Sequence, residues 1–263
     1  MTNLPEHNAL GVRVNPLSLE ELTAYVTWAV GSGGQRIVAH HNLHSVYLHQ
    51  RDPKLRRFYE RADCCHIDGM PLVLAARLAG LPLRRLHRVT YVDWMPALMD
   101  RANGSGWQVA YLGSTPEALS RGLDVLRCRY SGLQISGMSG YFDANPDSAD
   151  SATILHWIRE KHPNLLMVGM GMPRQEHWVL ENLSRLPVCV ILTAGAALDY
   201  VAGVKPTPPR WSGRWSLEWA FRLLAEPHRL WRRYLVEPWG IGLTLTLNKV
   251  ARRSRVGTKA AKR

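Results

Sequence analysis

An acid that follows an apolar strand and precedes a glycine is placed to take a proton at the mouth of a sheet, and His66-Ile67-Asp68-Gly69 has that form. Asp68 could instead cap a helix opening near Pro71, and composition alone favours the cap. A second apolar run leads into Gly169-Met170-Gly171-Met172-Pro173-Arg174-Gln175-Glu176. Its glycines would let backbone approach a diphosphate, and the helix N-terminus beyond them offers N–H groups to an anion. Gln175 and Glu176 could equally be ordinary polar residues of a first helical turn. Tyr111-Leu112-Gly113-Ser114-Thr115-Pro116 is a third strand-to-helix turn, whose hydroxyls could hold a nucleotide or cap the helix.

His40-His41-Asn42-Leu43-His44 invites a metal reading. Metal-binding histidines must converge with a further ligand, and adjacent residues leaving a strand diverge, so a polar strand end lining a substrate site is the better reading of His40. No Asp-x-Asp occurs in the chain, so the usual carboxylate pair for a metal–nucleotide-sugar complex is missing. A diphosphate leaving group would then rely on arginines and backbone amides, with no metal and no cofactor. Arg222, Arg229 and Arg232 would share one helical face if a helix runs through Pro227 or resumes after it. A solvated basic face is the plainer alternative. Guanidinium forks suit phosphate.

The elements that must position these residues alternate along 1–202. Residues 36–39, 64–67, 107–112, 164–168 and 188–192 read as strands, and 43–50, 52–62, 71–79, 116–130 and 174–186 as helical. Repeated strand–glycine turn–helix units predict an α/β fold with a mostly parallel sheet flanked by helices. Ligands of such sheets bind at the carboxyl ends of the strands, where the turns lie. A full dinucleotide fingerprint is absent, as is the acid about 20 residues beyond it that grips a ribose, which argues against nicotinamide chemistry. After Gly203 the character changes: Lys205-Pro206-Thr207-Pro208-Pro209 breaks the chain, and Trp and Arg dominate beyond it. Helices are expected over 216–225, with Ser216 as a candidate N-cap, and over 227–235.

Charge divides the chain in the same place. The net charge is +12, and residues 203–263 hold 14 Lys and Arg against 3 Glu, while 1–202 hold 19 basic and 18 acidic side chains. A basic amphipathic appendage of this kind meets phosphate groups. No nucleic-acid reading motif occurs in it, so an anionic membrane surface is the expected partner and nucleic acid is not. The longest apolar stretch, 188–197, is far short of the roughly 20 residues that cross a bilayer, and no signal peptide is expected at the N-terminus. Cys64, Cys65, Cys128 and Cys189 show neither metal spacing nor a disulfide framework, which fits a reducing compartment.

In this order the segments resemble the WecG/TagA/CpsF glycosyltransferase family from about residue 37 to residue 235. The resemblance is carried by Asn42, Ile67-Asp68-Gly69, Arg88-Val89-Thr90-x-x-Asp93, Tyr111-Leu112-Gly113-Ser114 and Gly169-x-Gly171-x-Pro173-x-Gln175-Glu176. It continues through Gly195-Ala196-Ala197-x-Asp199, Glu218-Trp219-x-x-Arg222 and Glu226-Pro227-x-Arg229-x-x-Arg232-Arg233-Tyr234. The family implies a Rossmann-like core, here 1–202, and a C-terminal appendage, here 203–263, that docks on the membrane and completes the site. It implies metal-independent, inverting transfer from a UDP-sugar donor to a polyprenyl-diphosphate-linked sugar acceptor, by a peripheral protein on the cytoplasmic face of the inner membrane. It also leaves room for a homo-oligomer.

By position, Asp68 resembles the family's general base. Arg88 and Gln175 resemble residues that contact the reacting groups, and Asn42 and Asp199 residues that hold the donor. Arg222, Arg229 and Arg232 resemble appendage arginines that complete the site. The chain departs from the pattern at His40, where many members carry Thr, and at Lys205-Pro206-Thr207-Pro208, where Lys-Arg-Ala-Pro is usual. Overall similarity within the family is to the xanthan-type exopolysaccharide branch, which implies glucose added β-1,4 from UDP-glucose to glucosyl-diphosphate-undecaprenol. The alternative is transfer of N-acetylmannosamine, or its uronate, onto GlcNAc-diphosphate-lipid, or, in another class, a nucleic-acid-binding protein prompted by the basic tail.

Overall fold

The computed structural model describes residues 3–206 and 218–242. Six parallel strands form the central sheet: β3 (Arg36–His41), β4 (Cys64–Ile67), β5 (Gln108–Gly113), β6 (Gln134–Met138), β7 (Leu165–Gly169) and β8 (Val190–Thr193). Their spatial order is β4-β3-β8-β7-β5-β6, and every neighbouring pair is parallel. The α/β reading of the sequence therefore holds. A short antiparallel hairpin, β1 (His7–Ala9) and β2 (Val12–Val14), precedes the sheet.

Alternation along the strands decides which helices cover which face. Val38, Cys64, Val109, Tyr111, Leu165, Met167, Val190 and Leu192 point into one apolar cluster, with α1 (Leu19–Gly31), α5 (Tyr91–Gly104), α6 (Pro116–Arg129) and α9 (Ala197–Val201). Their immediate neighbours Ile37, Ala39, Cys65, Ala110, Leu112, Leu166, Val168 and Ile191 point into the other. That cluster packs on α3 (Pro53–Arg61), α7 (Ala149–Lys161) and α8 (Arg174–Asn182). Side chains of period two on a sheet buried on both faces produce this three-layer arrangement, and leave only the strand ends for polar groups.

A third, smaller cluster ties the remaining elements together. The hairpin, Val46 of α2 (Leu43–His49), Ile67, and Leu72, Val73 and Ala76 of α4 (Met70–Leu78) surround Ile241 from the C-terminal segment. That segment contains α10 (Glu218–Ala225), α11 (Pro227–Trp231) and a π-helical turn over Arg232–Val236, with 237–242 helical beyond it. The run from 218 to 235 is therefore not one face of one helix. Glu226 (φ −135°) separates α10 from α11, and Pro227 restarts the chain as a first-turn proline. Arginine spacing alone could not place these side chains. Ser216 and the tail beyond 242 lie outside the described residues, as do the side chains of Arg222 and Arg229.

Candidate active site

The carboxyl ends of β3, β4, β5, β7 and β8 open into a cleft of about 800 Å³, lined by His40, Asn42, Asp68, Ser114, Gln175 and Asp199 among others. Residues from the C-terminal segment form its opposite wall: Glu226, Leu230, Arg232, Arg233, Tyr234, Val236 and Glu237. The segment is anchored by a 2.7 Å contact between His44 Nδ1 and Glu237 Oε2, and by burial of Leu230 and Ile241.

Asp68 leaves β4 with its N–H donated to the His41 carbonyl. It is not the cap of α4: Gly69 occupies that position at φ +117°, and no side-chain cap bond is made. The capping alternative therefore falls, and the Asp68 carboxylate, 19% exposed, faces the cleft 3.9 Å from His40 Nε2. His40, His41 and His44 diverge as adjacent residues must. His40 turns to the Thr193 carbonyl at 3.0 Å, His41 stacks on Tyr59 and bonds Ser45 Oγ at 2.9 Å, and His44 meets Glu237. Behind His40 lies His66, fully buried, with neither ring nitrogen bonded among the described residues. Burial pushes its pKa down to about 3, so it stays neutral.

Asn42 caps α2 by accepting from Ser45 N at 3.1 Å and still lines the cleft. Across from it, Asp199 accepts from Ser114 Oγ at 2.7 Å and pairs with Lys205 Nζ at 2.9 Å, so β5, α9 and the chain beyond meet at one carboxylate. Thr115 caps α6 through Ala118 N, which realises the helix-cap alternative for that turn. Arg88 is not among the cleft-lining residues. Its backbone pairs with Ile67, one residue before Asp68, and its guanidinium bonds Asp93 at 2.7 Å.

The glycines at the strand ends are required by packing. A Cβ on Gly113 would strike the Gly169 backbone, and one on Gly169 would strike the Tyr111 ring and hydroxyl. Gln175 then occupies the space the turns enclose. Its Oε1 accepts from Gly171 N at 3.2 Å and Gly195 N at 3.1 Å, and its Nε2 donates to Glu176 Oε1 at 2.7 Å. The Gly171 amide that the sequence offers to a diphosphate is thus already engaged by this side chain, as is the Gly195 amide.

Glu176 beneath it is fully buried, with Oε2 unbonded among the described residues. Burial raises its pKa from 4.5 to about 7. A folded-state pKa above the unfolded one means that stability is greatest below the unfolded value and declines as pH rises towards 7. The shift corresponds to about 3 kcal/mol over that window. Glu176→Gln removes the ionisation, so its stability relative to the native protein should improve by that order between pH 4.5 and pH 8. Urea denaturation across that range reads it; a pH-independent difference would contradict it.

Arg233, Lys205, Tyr141, Arg174 and His44 also line the cleft, and sequence reasoning does not single them out as site residues. For Arg233 the signal is its place in the family-like run Arg232-Arg233-Tyr234, with no role attached to it. Lys205 stands at the break in the chain and at the lysine of the family's usual Lys-Arg-Ala-Pro, again with no role attached to it.

The family model for "Glycosyl transferase WecG/TagA/CpsF family" matches residues 7–255. The chain is 28% identical over 189 residues to an N-acetylglucosaminyldiphosphoundecaprenol N-acetyl-beta-D-mannosaminyltransferase of Bacillus spizizenii, an alignment that covers 72% of this chain and 70% of that protein. A Staphylococcus aureus protein of the same name is 26% identical over 196 residues, covering 74% and 71%. With an acid, a buried amide clamp and an arginine-bearing wall gathered at the strand ends, the match extends over nearly all of the sequence: this chain belongs to the WecG/TagA/CpsF family of glycosyl transferases.

Proposed function

We propose that this protein transfers a sugar from a UDP-sugar to a sugar carried on a polyprenyl diphosphate, with inversion and without a divalent cation. One observation supports the reading above the rest: Asp68, at the end of β4, and Arg232 and Arg233, from the C-terminal segment, line the same cleft. Asp68 takes the proton of the acceptor hydroxyl as its oxygen attacks the anomeric carbon. The bond from that carbon to the diphosphate breaks on the opposite face, and UDP leaves with the electron pair. The arginines offset the charge that grows on the departing diphosphate.

Residues 1–202 serve as the catalytic core and 203–263 as the membrane-associating appendage. Leu224 (81% exposed) and Trp239 (80% exposed) present apolar surface on a basic segment, as a helix lying at an anionic interface requires. Among the described residues no helix is long and apolar enough to cross a membrane. A peripheral position on the cytoplasmic face accords with this reading, with the acceptor entering from the lipid side.

The relatives favour N-acetylmannosamine as the transferred sugar and a GlcNAc-diphosphate-lipid acceptor over the glucose and xanthan-type reading. The test presents UDP-N-acetylmannosamine and UDP-glucose, each with short-chain polyprenyl-diphosphate GlcNAc and with the glucosyl equivalent, with and without chelator. Transfer of N-acetylmannosamine to GlcNAc, undiminished by chelator, is expected. Exclusive use of UDP-glucose would restore the glucose reading, and absence of transfer from any UDP-sugar would end both.

A further inference from the structure

The end of β3 holds an arrangement that the transfer step above leaves unused. His40 Nδ1 lies 3.0 Å from the Thr193 carbonyl oxygen. The Thr193 hydroxyl lies farther from the same nitrogen, at 3.4 Å, and a carbonyl only accepts, so the shorter contact assigns the hydrogen to Nδ1 and leaves Nε2 a bare lone pair in the neutral ring. That nitrogen lies 3.9 Å from Asp68 Oδ2. The gap is too long for a hydrogen bond, as it must be between two acceptors with no hydrogen between them.

On its protein side the ring has titratable and charged neighbours from several elements, and its other side lines the cleft. His66 of β4 stands at 5.7 Å between centroids, and Tyr91 of α5 meets it edge-on at 5.9 Å. His41 adjoins it on β3, Arg233 approaches from the π-helical turn, and the Tyr59 hydroxyl of α3 donates to the His40 carbonyl. Burial holds the imidazole neutral and Arg233 adds to that, while Asp68 and the Thr193 carbonyl pull the other way. A neutral ring beside a carboxylate is a proton acceptor in waiting.

We propose that His40 is a positioning and relay residue of the transfer reaction, receiving through Asp68 the proton that the acceptor hydroxyl gives up. The proposal rests on the transferase reading. The hydroxyl O–H bond breaks, the proton goes to Asp68 Oδ2, the oxygen bonds the anomeric carbon, and UDP leaves with the electron pair. The carboxyl is now a donor. A movement of about 1 Å brings it within hydrogen-bond reach of Nε2. The proton crosses, the carboxylate is restored, and the imidazolium keeps its Nδ1–H on Thr193. Neutral acid plus neutral ring becomes carboxylate plus imidazolium, so the pair's net charge is unchanged at the handover. Water takes the proton from Nε2 as the cleft empties.

Two substitutions in the full chain separate this role from a sugar contact. His40→Asn keeps a nitrogen donor for Thr193 and removes the atom at Nε2. His40→Gln offers an amide oxygen that accepts a hydrogen bond but no proton. Both should lower kcat on the order of 10²-fold, the low end for proton-transfer assistance, with the KM of each substrate within about twofold. In the native enzyme kcat/KM should fall as pH drops through the titration of His40, which burial places below the ordinary 6.5. Both variants should lose that limb. Full turnover in His40→Gln, or a loss confined to KM in His40→Asn, would overturn the relay.

Nitrogen-15 NMR of the labelled full chain reads the same ring without turnover. The Nδ1–H tautomer at pH 7, and a His40 titration displaced in Asp68→Asn, are expected. An Nε2–H tautomer, or a titration indifferent to residue 68, would also overturn the relay. A native enzyme that uses no UDP-sugar would defeat the transferase reading, while these spectra would still decide whether the two groups are coupled.

Discussion

Asp68→Asn is expected to lower kcat and kcat/KM together by about 10²–10⁴-fold while leaving UDP affinity within about twofold. The two side chains are nearly the same size, and the backbone bond from Asp68 N to the His41 carbonyl is kept. No cap is lost, because α4 begins at Gly69 without a side-chain bond. The fold should therefore melt within a degree or two of the native protein. On the proposed mechanism, what disappears is the group that takes the hydroxyl proton as the new bond forms, an interaction realised only in the transition state. UDP titration by calorimetry and steady-state transfer on the same preparation read the two halves. Native turnover in the variant would remove Asp68 from the chemistry.

Ending the chain after Val201 should abolish transfer and vesicle binding together. The cleft would lose the wall that carries Arg232 and Arg233, and removing one preorganised charge-stabilising donor typically costs about 10²–10³-fold in turnover. Most of the excess positive charge would go too, since 203–263 hold 14 Lys and Arg against 3 Glu. Each such residue near an anionic surface contributes roughly 1 kcal/mol of attraction, which salt weakens. Truncation also uncovers the apolar cluster around Ile241, so a full-length Arg233→Ala variant belongs beside it. Arg233→Ala should keep vesicle binding and lose most of its turnover. Sedimentation with anionic vesicles at low and high salt, paired with transfer rates, separates the two losses. A truncated protein that still glycosylates the lipid-linked acceptor at the native rate would refute the completing role of the segment.

Strands are most legible in the sequence where both faces are buried. Cys64–Ile67 can be read to the residue, and β3, β5, β7 and β8 within two residues at each end, because continuous apolar runs bounded by glycine turns are hard to mistake. Helix α1 has a legible start that the strand-and-turn pattern does not use: Ser18 and Glu21 form a reciprocal capping box, visible as Ser-x-x-Glu. Strand β6 offers little to see, since Gln134, Ser136 and Gly137 carry weak strand preference and lie at the sheet edge. The site divides in the same way. The turn after β4 points to Asp68, while Gln175 and Asp199 are singled out only by the family resemblance. The wall opposite them depends on contacts such as His44 to Glu237, which are 193 residues apart and leave no local signature. The resemblance names Gln175, but its two-glycine clamp is not legible, because only the folded sheet brings Gly171 and Gly195 to one amide.

In a cleft built half from the sheet and half from the segment anchored by Glu237, any ligand that touches both halves is linked to the segment's hold on the core. A nucleotide that touches both halves must tighten the segment's hold by the same factor that the closed segment adds to nucleotide affinity. Occupancy of the cleft should therefore be measurable from outside it, as slower hydrogen exchange along 218–242 when UDP is bound.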